Sequence, residues 1–389
     1  MRLLHTSDWH LGRSLVSASQ LPAQAEFLRW LLELAVERRV DAVLVSGDVY
    51  DRAVPPIDAV RLLDDTFLAF ATAGIPLVVV SGNHDSAVRL GFGRALAKAS
   101  HIHLRTTVAD ITDPVLLTDE HGQVGIYGIP FLLPDAVMDE LGAERSHTSV
   151  LRAATARILA DAAERRLTRT VVLSHAFVAG GAGADSERDI KVGGIGDAHA
   201  QVFDGVTYVA LGHLHRPQDI TLSGSSSRLR YSGSPVAFSF SEAGDEKSVT
   251  LVELDADSVS DVSTVATPTT RGLREVRGRL DDLVARASTD LADLADCYVK
   301  VVLTDPSRPA SPMERLRVHW PHTLVLDFEP DGARRSSADD LVHLTRTTDP
   351  VEVCELFVQF VDRLPPTDDE RLVLREAVER AQVSVEATL

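Results

Sequence analysis

Leu77-Val78-Val79-Val80-Ser81-Gly82-Asn83-His84-Asp85 holds the pattern that organises the whole chain. Four apolar residues, three of them β-branched, make a buried strand. The run stops at a glycine, and a carboxamide, an imidazole and a carboxylate follow at once. The same arrangement recurs on both sides. Leu3–Thr6 leads into Asp8-Trp9-His10 and Ala42–Ser46 into Gly47-Asp48, while Thr170–Ser174 leads into His175 and Tyr208–Leu211 into Gly212-His213-Leu214-His215. In open α/β sheets ligands collect beyond the carboxyl ends of strands, so the five motifs are expected to converge on one rim.

Working outward, Gly125–Gly128 and Val249–Leu254 read as further strands, and Ala23–Arg38, Ile57–Ala73 and Val150–Arg165 as amphipathic helices. Such alternation predicts an α/β (α+β) chain with buried sheets and helices on the outer faces. A smaller α+β unit follows over 270–330, with strands at Leu273–Val276, Cys297–Leu303 and Thr323–Phe328 and helices at Leu280–Ala287 and Pro312–Val318. Residues 331–349 read as a polar linker, and 350–389 as a tail of two helices, Val351–Leu364 and Asp368–Ala387, broken at Pro365-Pro366. The first unit is placed at 1–265. The Gly-rich run Gly180–Gly196 reads as a mobile loop and not as a dinucleotide fingerprint, since no strand–turn–helix of the right spacing surrounds it.

Composition sets the outer limits. At 389 residues, 44% hydrophobic and 25% charged, the chain can build two or three cores, and wholesale disorder is excluded. No run of 18 apolar residues and no signal-peptide core are found, so a cytoplasmic chain with no membrane association is expected. Cys297 and Cys354 are too few for a thiolate zinc site and are expected to be reduced and buried. The formal charge of −18 argues against broad nonspecific nucleic-acid binding by this chain alone. None of the four lysines, Lys98, Lys191, Lys247 and Lys300, follows a glycine, which excludes a Walker A loop and assigns any ATP dependence to a partner.

The strand-end residues are metal ligands by type. Carboxylate, carboxamide and imidazole together suit Mn²⁺, Fe²⁺ or Zn²⁺. Asp8, His10, Asp48, Asn83, His175, His213 and His215 make seven, too many for one ion. Two ions roughly 3.5–4 Å apart need a bridging carboxylate. Asp48 is the natural bridge, because Gly47 before it lets the backbone approach the ions closely.

D-x-H, G-D, G-N-H-D, H and G-H-x-H in this order resemble the calcineurin-like metallophosphoesterases. With TSDWHLGR, SGDVYDR, SGNHDS, ERDIKVGG, ALGHLHRPQ and YSGSPVAFSF, the resemblance narrows to the SbcD family of bacterial nuclease subunits. It covers nearly the whole of 1–255. It implies the metallophosphoesterase fold, a two-layer β-sandwich flanked by helices, with a small capping domain and a C-terminal tail that docks on the coiled-coil base of an SbcC-like ATPase. It further implies two divalent ions, most often Mn²⁺, one held by Asp8, His10, Asp48 and His215 and the other by Asp48, Asn83, His175 and His213. His84 would stand at the leaving oxygen as proton donor or transition-state stabiliser, oriented by a hydrogen bond from its ring to Asp85. The implied activity is 3′→5′ exonuclease action on double-stranded ends and endonuclease action on single strands and hairpins. The chain would work as a homodimer through helices of the nuclease domain, near the nucleoid, in DNA repair and recombination.

Other features are weighed against plainer roles. Arg13, Arg52 and Arg89 follow ligand motifs and are candidate DNA-phosphate contacts, although exposed arginine is common. His101-x-His103 repeats the spacing of His213-x-His215, but without a preceding apolar run and glycine; both rings are expected on one face of a strand over Ser100–Thr106. His5 is expected to be a satisfied core histidine, and His121, His147, His199, His319, His322 and His343 to be surface or loop residues. Tyr231–Pro235 suits packing or substrate contact. Val351–Leu364 is so widely apolar that it is expected to be buried nearly all round, on its own domain or on a partner. A phosphomonoesterase or cyclic-nucleotide phosphodiesterase on the same metal scaffold is the alternative enzyme, and would need neither the small module nor the tail. An inactive scaffold would require a lost ligand, and all seven are intact.

Overall fold

The computed structural model describes residues 1–181, 183, 187, 198–269, 271–330, 349–362 and 365–386. Most of the loop expected at Gly180–Gly196, His343 and all but the last residue of the expected linker lie outside the described residues. Contacts divide the chain into two compact units, Met1–Thr270 and Arg271–Leu389.

The first unit holds two six-stranded mixed sheets, with strands and helices numbered here in chain order. In one, β1 (Arg2–Thr6), β4 (Ala42–Ser46), β5 (Leu77–Val80) and β6 (Ile102–Arg105) run parallel. β13 (Ser248–Leu254) adds antiparallel to β1, and β14 (Val259–Ala266) adds to β13. In the other, β8 (Gly122–Ile129), β9 (Arg169–His175), β10 (Tyr208–Gly212) and β12 (Arg228–Tyr231) run parallel, with β7 (Val115–Asp119) and β11 (Gln218–Ile220) as antiparallel edges. A two-residue hairpin, β2 (Ser14–Leu15) and β3 (Ala18–Ser19), follows the first strand.

Period-two alternation distributes the apolar side chains over two cores. Leu3, Leu44, Val78 and Val80 meet Ile126, Val171, Leu173 and Tyr208 between the sheets. The intervening Leu4, Val43, Val45 and Val79 face outward against Phe27, Leu31, Leu63 and Phe70. Those four come from α1 (Leu21–Glu37) and α2 (Ile57–Ala73). On the far side, α5 (Pro134–Leu141) and α6 (His147–Glu164) cover Tyr127, Ile129, Val172 and Val209. The result is the expected sandwich flanked by helices. Every sequence-predicted strand and helix is present, to within a few residues at the ends. α2 is bounded as predicted, and Gly74 stops it in the left-handed conformation at φ 69°. Two short helices, α3 (Ala87–Leu90) and α4 (Arg94–Lys98), lie ahead of β6.

The second unit has a parallel sheet of β15 (Leu273–Gly278), β16 (Tyr298–Leu303) and β17 (Thr323–Phe328). α7 (Leu280–Arg286) and α8 (Pro312–Arg317) are the crossovers, and Leu283, Val299, Val301, Leu316 and Trp320 fill its core. α9 (Pro350–Asp362) and α10 (Asp368–Glu386) pack against each other.

α10 covers only part of α9 and leaves Phe357 64% exposed, so its own unit does not bury α9 all round. Three expectations are corrected. Cys297 and Cys354 are free but only half-buried. His147 is buried at the first turn of α6, not on the surface. His101 and His103 do not share a face: His101 precedes β6 with φ 61° and is exposed, whereas His103 is buried. His5 is a core histidine as expected, with Nδ1 3.0 Å from Tyr208 Oη and Nε2 3.2 Å from Ser46 Oγ. Among the described residues, no helix is long and apolar enough to cross a membrane.

Candidate metal centre

The five motifs leave the carboxyl ends of β1, β4, β5, β9 and β10, strands drawn from both sheets. Their turns force an unusual backbone. Asp8, His10, Asp48 and His213 have φ of 54°, 45°, 48° and 110°. Such values cost on the order of 1–3 kcal/mol per non-glycine residue and persist only where neighbours impose them. Here Asp8 N donates to Gly47 O at 3.0 Å and His10 N to Asp48 O at 2.9 Å, so the loops after β1 and β4 lock each other. Gly47 is required sterically: a Cβ there would lie 2.4 Å from His175 Nδ1. The glycine makes room for that ring.

All seven candidate ligands come together around Asp48. Asp48 Oδ2 lies 3.6 Å from His10 Nε2, 3.5 Å from His175 Nε2 and 3.9 Å from His84 Nε2. On one side His10 Nε2 and His215 Nε2 face each other at 3.1 Å, with the Asp8 carboxylate beside them. On the other, Asn83 Oδ1 is 2.8 Å from His175 Nε2 and 3.2 Å from His213 Nδ1. Asp8, His10, Asp48, His175, His213 and His215 are all buried.

Burial lowers the pKa of these imidazoles. His175 falls to about 3 and His215 to about 4, while His10 and His213 drop well below the usual histidine value, their histidine neighbours adding to the effect. The rings are therefore neutral and offer lone pairs. Burial pushes the Asp8 carboxyl up, against the hydrogen bonds from Ser7 Oγ and His213 N. A negative charge there calls for a cation. His10 Nδ1 and the Asn83 carboxamide nitrogen are also buried without hydrogen-bond partners. Neutral imidazoles and converging carboxylates fit divalent cations.

His84 lies at this centre, but its orientation is not the expected one. Its Nδ1 is 2.7 Å from the Asp51 carbonyl oxygen, which takes the Nδ1 proton and turns Nε2 toward Asp48. Asp85 is instead occupied by three backbone amides, Gly82 N at 2.9 Å, Tyr50 N at 2.8 Å and Val49 N at 3.1 Å. It braces the loop after β5 to the loop after β4. Arg13, Arg52 and Arg89 gather on residues 51–53: Arg13 Nε and an Arg52 Nη each lie 3.6 Å from the Asp51 carboxylate, and Arg89 donates to Ala53 O at 2.9 Å.

Sequence reasoning missed several neighbours. Phe238 stands edge-on to His10 and His215 and carries the Arg13 guanidinium 5.0 Å from its ring centroid. Glu242 and Lys247 form a buried pair behind His215. Burial would raise the Glu242 carboxyl, but His215 and Lys247 together bring it down to about 2. Phe238 lies within the quoted YSGSPVAFSF but was not singled out, and Glu242 and Lys247 follow it in a segment whose irregular backbone has no period to read.

Both parts of the chain resemble known proteins. Residues 1–217 match the family described as calcineurin-like phosphoesterase. Residues 269–363 match the SbcD_C domain, described as the Type 5 capsule protein repressor C-terminal domain. The chain is 31% identical over 330 residues to the SbcD component of the SbcCD nuclease of Staphylococcus saprophyticus, covering 84% of each. It is 38% identical over 266 residues to the corresponding SbcCD nuclease component of Bacillus subtilis, covering 65% of this chain and 66% of that protein. Among solved structures, TT1561 of Thermus thermophilus is 14% identical with a TM-score of 0.42, over 68% of this chain and 98% of the other.

Proposed function

The chain belongs to the calcineurin-like phosphoesterase family, and from that premise we propose that it is the nuclease subunit of an SbcCD-type complex, hydrolysing DNA phosphodiester bonds. The observation that carries the reading is the gathering of seven metal-type side chains at one centre, with His10 and His175 at 3.6 and 3.5 Å from Asp48 Oδ2, in a chain that aligns with the SbcD components of two SbcCD nucleases. In this proposal Asp8, His10, Asp48 and His215 hold one cation, and Asp48, Asn83, His175 and His213 the other, with Mn²⁺ as the working metal. Two such ions supply an activated water and neutralise charge on the phosphoryl oxygens.

The chain's own residues do the rest. His84, its Nδ1–H donated to Asp51 O, presents Nε2 to the leaving sugar oxygen; as the imidazolium it would give its Nε2 proton to that oxygen or stabilise charge there in the transition state. Arg13, Arg52 and Arg89, on one edge of the centre, receive flanking phosphates. The substrates proposed are double-stranded ends, cut 3′→5′, and single strands and hairpins. Exposed apolar residues of α2 and the α3–α4 region, Ile57 at 72%, Val88 at 83% and Phe92 at 87%, support a homodimer through these helices. α9, with Phe357 exposed, supports docking of the tail on an SbcC-like coiled-coil ATPase in the cytoplasm, near the nucleoid. Residues 270–330 serve as the capping module.

The test is Mn²⁺-dependent cleavage of a labelled hairpin DNA by the purified chain, with His84→Ala as control and an aryl phosphate ester alongside. Hairpin cleavage that disappears in the variant is expected. Turnover of the small ester alone would overturn the nuclease reading.

A further inference from the structure

The buried charge pair behind His215 has no part in the chemistry above, yet two charges leave water at a cost unless each is fully hydrogen-bonded. Glu242 is 1% exposed and Lys247 8%. The ammonium and carboxylate meet at 2.5 Å. Lys247 Nζ also donates to the His215 carbonyl at 3.0 Å and to Ser234 Oγ at 3.1 Å. The other Glu242 oxygen accepts from Phe238 N at 3.3 Å and faces His215 Nδ1 at 3.8 Å. His215 is therefore gripped at its carbonyl by Lys247 and met at its ring by Glu242, with Nε2 directed at His10. Glu187 accepts the His215 amide at 2.6 Å and completes the grip on the backbone.

An imidazole that binds a cation through Nε2 carries its proton on Nδ1, and a carboxylate opposite Nδ1 fixes that tautomer. Such contacts are often long before the ligand is in place. We infer that Glu242, clamped by Lys247, is the positioning residue for His215 and presents its Nε2 lone pair to the cation shared with Asp8, His10 and Asp48. This rests on the two-cation reading. The same clamp sets Phe238 and, through it, the Arg13 guanidinium stacked on its ring.

The test titrates the metal-free full chain with Mn²⁺ by calorimetry. Two ions are expected in the wild type. In Glu242→Gln one of them should weaken about 10- to 100-fold while the other is kept. Because that variant leaves a buried ammonium unpaired, a Glu242→Leu, Lys247→Met double variant removes both charges. It should melt near the wild type when metal-free, still weaken one ion, and lose the Nδ1–H signature of His215 in ¹⁵N-histidine spectra. A folded double variant with wild-type affinity for both ions and an unchanged His215 signature would overturn the role of Glu242 and leave the two-cation reading standing. A double variant that loses its fold or both ions marks the pair as structural and overturns the inference too. A wild-type chain that takes up fewer than two ions overturns the two-cation reading itself.

Discussion

At the scale of the residue, His84 and Asp85 show how adjacent side chains divide the work. His84 reaches the metal centre through Nε2, whereas Asp85 faces away and ties three amides together. His84→Ala should keep both ions and lose turnover by about 10²–10⁴-fold; metal analysis showing empty sites in this variant would refute the assignment. Asp85→Ala should instead destabilise the fold by about 3 kcal/mol, since buried amides lose a charged acceptor, as read in urea unfolding. His5 carries a pH effect. Burial lowers its pKa to about 3, so the unfolded chain binds a proton below pH 6.5 that the folded chain does not. Stability is unaffected above 6.5 and falls on acidification, by about 2 kcal/mol at pH 5 from this residue alone. His5→Gln should flatten that part of the slope between pH 7 and pH 5, and an identical slope in both proteins would count against it. The seven side chains that gather at the centre were legible from residue type and position after a strand. The turn of His84 toward Asp51 was not, because a backbone carbonyl leaves no mark in a sequence.

Elements were legible where one physical rule dominates. β4 and β5 are buried on both faces, so they read as unbroken apolar runs. The edge strands β7, β11 and β14 were not named, because half-exposed edges mix polar and apolar residues. The His101–His103 region misled for a related reason: a left-handed residue just before β6 breaks the alternation that shared spacing implied. α2 and the α3–α4 region carry the proposed dimer, and Phe92→Glu should convert it to a monomer in analytical ultracentrifugation while sparing metal uptake. α9 tests the partner. Truncation after residue 340 should abolish binding to the ATPase on a sizing column and leave metal binding intact. A retained complex would show that the tail is not the docking element.

The whole molecule comprises two units with separate cores, and the candidate metal ligands all belong to the first. Ligands that bind only the folded state stabilise it, by about 2.7 kcal/mol at a hundredfold excess over Kd. Calorimetry of the full chain should show the transition of the first unit moving up with Mn²⁺ and returning with chelator, while that of the second unit stays fixed. If both move together, the units unfold as one. The charge of −18 is a property of this same scale. On the proposed reading, with Arg13, Arg52 and Arg89 on one edge of the centre, a partner would supply much of the DNA-binding surface.

The placement of β1 between β4 and β13 has a consequence during synthesis. Leu4 is paired with Val43 on one side and with Leu251 on the other. The ribosome makes the two halves of that environment far apart in time, roughly 10–50 s at bacterial elongation rates. Until the later strand emerges, β1 keeps an open edge, and His213 and His215 reach the centre only shortly before. A nascent chain that has not yet reached His213 and His215 therefore lacks part of the centre. The order of the strands makes the nuclease one of the last things the first unit acquires.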